Sequence, residues 1–295
     1  TGSQSQLVGK QKGKKVEREG EDVKQQTGEV KKKGKEVKQN VVKLEEDDAE
    51  KVPEIPPLQR PLGVPDVPTT KARSLSERSA DMLNQEKQLE KRRHLVKVAS
   101  TGYFHDLHMT RHHGGKTWMA PSVLIREDKA LYFPNIKGVR LDNGQPVHST
   151  HMCAGKISVI SMLSTKISEY HASSFTDRVN QLYQEHPSYQ YIQINLQENI
   201  LKSLLVHLFL SSLRSKIPHR LHPTYMVSRQ NMEYVREQLG MVNSRIGYTY
   251  LVDDKLKVRW AACADAKEEE EEALVRGVGV LLKRFKGKVP PPAAP

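Results

Sequence analysis

The run Lys156 to Leu163, Lys-Ile-Ser-Val-Ile-Ser-Met-Leu, constrains this chain more than any other segment. Its apolar middle is nearly continuous, so a strand formed there presents apolar side chains on both faces and needs cover on both. Ser164-Thr165-Lys166-Ile167-Ser168 follows at once and opens a helix to about Glu185, with Phe175, Val179, Leu182 and Tyr183 as its buried stripe and Pro187 as its stop. Tyr189 to Leu196 is a second strand. Strand, helix and strand in this order read as a parallel βαβ unit.

The elements beyond it continue the pattern. Asn195 with Glu198 three residues later has the form of a capping box. The helix after it carries Ile200, Leu201, Leu204, Leu205, Leu208 and Phe209 and ends at Pro218. Thr224 to Val227 reads as a short third strand, and Met232 to Leu239 as a short helix closed by Gly240. Gly247 to Val252, the turn Asp253-Asp254 and Leu256 to Ala261 read as an antiparallel hairpin, with Tyr248 and Tyr250 on one arm and Trp260 on the other. In the final helix Asp265 and Glu268 supply a cap. Glu268 to Glu272 sit at its positive end, Lys283, Arg284 and Lys286 at its negative end, and Leu274, Val278, Leu281, Leu282 and Phe285 along one face. Upstream, residues 121–150 form an irregular lead-in holding one hairpin, about the turn Asp142-Asn143-Gly144. The expected architecture is an α/β mixed sheet with helices on both faces.

Residues 1–70 are of another kind. They carry almost no aromatic and few branched apolar side chains, so they cannot offset the ~1–2 kcal/mol of backbone entropy lost per ordered residue. They read as a disordered charged tail that ends in a spacer with Pro53, Pro56, Pro57, Pro61, Pro65 and Pro68. Residues 71–116 read as a basic amphipathic segment. Its helix, from about Ser74 or Ser79 to Ala99, has an apolar stripe of Leu75, Met82, Leu89 and Val96. The domain occupies 117–287, with its core over 155–286, and 288–295 is a frayed, disordered end.

The formal charge of +12 suits nucleic acid, an anionic membrane surface or an acidic protein, and separates none of them. The densest positive surface is expected from Arg214, Lys216, His219, Arg220, His222, Tyr225 and Arg229, joined by Arg92, Arg93 and Arg111. Cys153 and Cys263 are too few and too far apart for a disulfide scaffold or a thiolate cage, which points to a reducing compartment. No run reaches the roughly 20 consecutive apolar residues of a membrane span. The chain starts at Thr1 without an apolar secretory signal, as expected of a protein whose organellar presequence has been removed.

Two histidine groupings have metal-ligand character: His105, His108 and His112 at helical spacing, and His148, His151 and Cys153 in one compact stretch. Neither has a closing ligand cluster, so no metal is expected, and no Gly-rich phosphate loop is present.

The order of elements resembles the thioredoxin fold, and the insert before the hairpin resembles its peroxiredoxin variety. More closely, several patches resemble the Atp10 family of mitochondrial ATPase assembly factors. They are Tyr103-Phe104 with Asp106, Ala130 to Asn135, Gly155 to Val159, Asn243 with Gly247-Tyr248, Tyr250 to Asp253, and Val258 to Ala261. The resemblance implies a peripheral protein on the matrix side of the mitochondrial inner membrane, where the basic patch suits anionic lipid headgroups. It also implies binding of newly made subunit a (subunit 6) of the Fo sector of ATP synthase, promotion of its joining to the c-ring, and no enzymatic turnover.

In thioredoxin-like enzymes the reactive cysteine follows the first core strand, where the helix dipole lowers its pKa. Here that position holds Ser164 to Ser168, so neither a catalytic residue nor a cofactor is assigned. Two other readings stand beside the assembly factor. One is an RNA- or ribosome-associated factor, resting on the basic patch; the other is a thiol or peroxide oxidoreductase that uses Cys153 or Cys263.

Overall fold

The computed structural model describes residues 54–71, 113–197 and 203–285 together with Gln85, Leu89, Arg92 and Arg93; for 203–208 and Tyr234 it describes the backbone alone. The expected helix over 74–99 and His105, His108, Arg111 and His112 lie largely outside these residues, although Gln85, Leu89, Arg92 and Arg93 are helical and exposed.

Among the described residues seven strands form one open mixed sheet in the order β2-β1-β5-β4-β3-β6-β7. They are β1 (Lys137–Arg140), β2 (Pro146–His148), β3 (Ile157–Leu163), β4 (Tyr189–Leu196), β5 (Tyr225–Ser228), β6 (Tyr248–Val252) and β7 (Val258–Cys263). The helices are α1 (Ser149–Cys153), α2 (Lys166–Tyr183), α3 (Ser203–Lys216), α4 (Glu233–Arg236) and α5 (Glu268–Arg284), with a 3-10 turn at His219–Thr224. β3, β4 and β5 are parallel, and β6 and β7 return as an antiparallel hairpin beside β3. The βαβ unit, hairpin and closing helix expected from the sequence are all present. The insert widens an open sheet with β5, and nothing in it is particular to the peroxiredoxin variety.

Every residue of β3 is buried, Ser158 and Ser161 included, as its nearly continuous apolar run leads one to expect. Ile157, Val159, Phe175, Val179, Tyr191, Leu251, Trp260, Leu274 and Val278 pack together under α2 and α5. Leu210 and Leu213 of α3 close the same face against Leu141, Ala172 and Tyr225. On the other face the expected helical cover is slight. Leu62, Trp118, Phe133, Met232, Leu239 and Met241, from irregular segments and the flank of α4, cover Ile160, Met162, Ile192, Ile194, Tyr248 and Tyr250.

That cover corrects the reading of residues 1–70 as one solvated tail. The compact unit that holds the sheet begins at Ile55. Pro57 bridges Met119, Val64 bridges Tyr132, and Leu62 is buried, which is worth about 2 kcal/mol for one leucine. Gly240 lets this segment approach: a Cβ there meets Leu62 at 3.1 Å, and its own φ of +69° favours glycine.

Three local expectations also change. Leu182 points to solvent, and Ser168, His171, Ala172 and Thr176 join Phe175 and Val179 on the buried side of α2. Asn195 is the buried penultimate residue of β4, where its amide donates to the Tyr225 hydroxyl instead of capping a helix. The cap of α5 lies two residues later than Asp265 and Glu268: the Glu270 carboxylate accepts from the Lys267 N–H. No helix among the described residues is long and apolar enough to cross a membrane.

Candidate functional site

The turn from β3 into α2 is where the fold could expose a reactive side chain, and its hydroxyls are already committed. Thr165 is the N-cap of α2 and accepts from the Ser168 N–H, 3.2 Å away. Ser168 accepts from the N–H groups of Ser164 and Thr165 at 2.9 and 3.0 Å, and donates to the Thr165 carbonyl at 2.6 Å. The remaining hydroxyls reach across to the loop before β6: Ser164 donates to the Ser244 carbonyl and Thr165 to that of Arg245, each at 2.7 Å. Lys166 turns outward and pairs with Glu169.

The loop is held from below by His171 and Gly247. The Gly247 N–H donates to His171 Nδ1 at 3.3 Å, and a Cβ on Gly247 would stand 2.5 Å from the Ser168 carbonyl oxygen. Only glycine permits that approach. Burial lowers the His171 pKa; Asp265 opposes the shift and Lys116 reinforces it. Neutral His171 therefore fits its role as acceptor.

Lys116 itself is buried. Its ammonium contacts Glu270 at 2.7 Å and donates to the carbonyls of Cys263 and Asp265 at 2.9 and 2.8 Å, while Glu270 also accepts from the Ala120 N–H. This pair ties the segment entering the domain to the start of α5. A second buried pair, Arg259 with Asp253, closes the β6–β7 hairpin. Arg259 is the extra residue at a bulge, since Leu251 pairs with Trp260 and Val252 with Val258.

Neither thiol reaches the β3–α2 turn. Cys153 is fully buried at the end of α1, and burial pushes its pKa up to about 12 against a hydrogen bond with Ser158 near the start of β3. Cys263 is buried in β7, its pKa also raised by burial. It pairs with Tyr248, which pairs with Met162 near the end of β3. From Ser158 to Met162 is about 13 Å of strand at ~3.3 Å per residue. A disulfide needs Cα atoms within about 7 Å, so the two cysteines are not a redox pair.

The histidine groupings and the basic patch come apart in similar ways. The rings of His148 and His151 stand 5.7 Å apart, but Cys153 lies in the core, and no group of three metal-binding side chains occurs among the described residues. Of the expected positive surface, Arg214, Lys216, His219 and Arg220 are exposed together at the end of α3 and in the 3-10 turn. His222 and Tyr225 are buried, the first bonded to the Ile217 carbonyl and the second to Asn195. Arg229 follows β5 at its far end.

The structure adds a feature the sequence reading missed. Ile167, Tyr170 and Val242 are 51, 66 and 53 % exposed. The first two lie one turn apart at the start of α2, and Val242 opens the loop that Ser164 and Thr165 hold. Their signal was phase: Ile167 and Tyr170 fall off the side of the helix marked by Phe175 and Val179. The β3–α2 turn is thus flanked by exposed apolar side chains, Ile167 and Tyr170 on α2 and Val242 at the start of the facing loop, with Lys166 and Arg245 exposed beside them.

Fold and site together define an open mixed α/β sheet with flanking helices, whose β3–α2 turn is filled by internally bonded hydroxyls and holds no cysteine. Residues 39–281 match the family model described as ATP10 protein, and the chain belongs to that family. It is 33 % identical over 230 residues to the "Mitochondrial ATPase complex subunit ATP10" of Eremothecium gossypii, covering 75 % of this chain and 84 % of that one. To the protein of the same name from Saccharomyces cerevisiae it is 31 % identical over 238 residues, covering 75 and 85 %. Among solved structures, the thiol:disulfide interchange protein DsbE of Chlorobium tepidum overlaps 52 % of this chain and 96 % of its own, at 14 % identity and a TM-score of 0.38.

Proposed function

We propose that this protein is a non-enzymatic assembly factor for the mitochondrial ATP synthase. It acts at the matrix side of the inner membrane, where it holds newly made subunit a of the Fo sector until that subunit joins the c-ring. Family membership supports the assembly role, and the relatives' names place them in the mitochondrial ATPase complex. The observation that carries the holding role is the β3–α2 junction: its hydroxyls are spent on internal bonds, and its rim is the exposed patch of Ile167, Tyr170 and Val242. Exposed apolar side chains gathered at one place favour binding of another protein.

Photoreactive side chains placed at Ile167 or Tyr170 in respiring mitochondria test the reading. Capture of subunit a at these positions and not at Val123, another exposed apolar residue, is the expected result. Capture of no Fo subunit at either position overturns it. The oxidoreductase reading is tested by Cys153→Ala/Cys263→Ala, which is expected to leave ATP synthase assembly intact.

A further inference from the structure

The three long helices all run the same way. α2 leaves the end of β3, α3 lies between the end of β4 and the start of β5, and α5 begins just after Cys263, which lies across Tyr248 from Met162. All three therefore finish at the end of the sheet where β3 and β4 begin. Their carbonyl termini favour cations there, and α3 and α5 supply them: Arg214 and Lys216, Lys283 and Arg284.

Arg220 in the 3-10 turn and Lys156 just before β3 add to the same end, and all six cations are exposed. None of the six forms an ion pair among the described residues. Four of the carboxylates nearby are already engaged, Asp142 by Arg140, Asp253 by Arg259, Glu127 by Lys255 and Asp128 by Arg126, which leaves Asp254 and Glu185 against the six cations. Between Glu198 and Glu233 the sequence has no acidic residue at all. From α3 above β5 to α5 above β6 is about 15 Å, at ~4.8 Å per strand, so the charge is spread over a broad end and not along a groove.

We infer that this end of the sheet rests on the anionic surface of a bilayer. Half-buried Ile217 and Leu221 beside exposed Pro218 and Pro223 give the 3-10 turn an apolar edge suited to the headgroup layer. A single-stranded nucleic acid fits less well, because it wants exposed aromatic rings interleaved with the cations. The only exposed large aromatic among the described residues, Tyr170, lies at the other end of the sheet, and Tyr225 is buried.

The inference extends the proposed function by giving it an orientation. The length of β3, about 20 Å at ~3.3 Å per residue, separates the cationic end from the Ile167 patch. The part of a membrane client that the patch grips is then a segment outside the bilayer.

The test is co-sedimentation of the full chain with phosphatidylcholine vesicles, with and without phosphatidylglycerol, comparing two doubly neutralised variants. Each surface cation is worth about fivefold in partitioning, so Lys216→Gln/Arg220→Gln is expected to bind the anionic vesicles about 25-fold more weakly. Lys166→Gln/Arg245→Gln, of equal charge change at the opposite end, is expected to change binding less than twofold. Tryptophan fluorescence of buried Trp118 and Trp260 checks that both variants are folded. Equal losses in the two variants, equal binding to both kinds of vesicle, or retention by an RNA oligonucleotide in place of vesicles overturns the inference. Crosslinking at Ile167 does not enter this measurement, so either result can fail without the other.

Discussion

Replacing Glu270 by Gln removes one charge from a pair that has almost no access to water, and its cost follows from the geometry. Lys116 would keep two carbonyl acceptors, those of Cys263 and Asp265, and lose its counter-ion at 2.7 Å. Breaking a buried pair at one partner costs about 3–5 kcal/mol. The upper part of that range is expected, because one Glu270 oxygen also accepts from the Ala120 N–H and the other from Lys267. A glutamine amide can offer its oxygen to only one of them.

A loss of about 4 kcal/mol is a large share of the roughly 5–15 kcal/mol by which domains are stable. Urea titration followed by the fluorescence of Trp118, in the segment that Lys116 fastens, and of Trp260 measures it. Adding Lys116→Met removes the stranded ammonium, so the double variant should recover at least about 2 kcal/mol relative to additivity. A Glu270→Gln protein within about 1 kcal/mol of the parent, or strictly additive substitutions, would refute the view that this pair fastens the entering segment to α5.

Further expectations follow from the same junction. The His171 pKa is lower folded than unfolded, so the unfolded chain takes up more protons as pH falls through about 6.5. Its contribution to stability is full above that pH and is lost below it; His171→Asn, which keeps an acceptor for Gly247, should flatten the slope between neutral and mildly acidic pH. Part of the slope should survive, because burial lowers the His148 pKa as well. Gly247→Ala drives a methyl into the Ser168 carbonyl and should cost about 1–3 kcal/mol, read by urea titration. With a pKa of about 12, Cys153 is thiolate in roughly one molecule in 10,000 at pH 8, so an aromatic disulfide reagent should label it only after denaturant is added. Rapid labelling of the native chain would mean that the thiol is not enclosed as described.

The parts of this fold legible in the sequence are those set by local pattern. The apolar run of β3, the strand–helix–strand order after it, the β6–β7 hairpin and the span of α5 each lie within one stretch of chain, and each stands within a few residues of its expected place. What escaped depends on partners distant in sequence. Leu62 sits among prolines and charges and looks like tail until Trp118 and Gly240 are seen beside it. Lys116 looks like one more surface lysine, since only Glu270, far along the chain, makes its burial tolerable. His222 looks like a patch residue because the 3-10 turn that rotates it inward has no strong signature, and Tyr225 because only the packing of β5 under Leu210 and Leu213 shows which way it faces. That no cysteine follows β3 was legible in the sequence; the exposure of Ile167, Tyr170 and Val242 around that turn was visible only once the fold was known.

Leu62, Trp118, Phe133 and Ile136 all precede the strands they lie on, and those strands are complete only at Cys263. A chain delivered amino terminus first, from a ribosome or through a translocation pore, must carry these four side chains uncovered until β7 has followed. The amino-terminal part of that core layer is thus made first and seated last, and its closure has to wait for nearly the full length of the domain. Vectorial delivery gives this protein little opportunity to fold in stages, and protease resistance of that layer should arrive in a single late step.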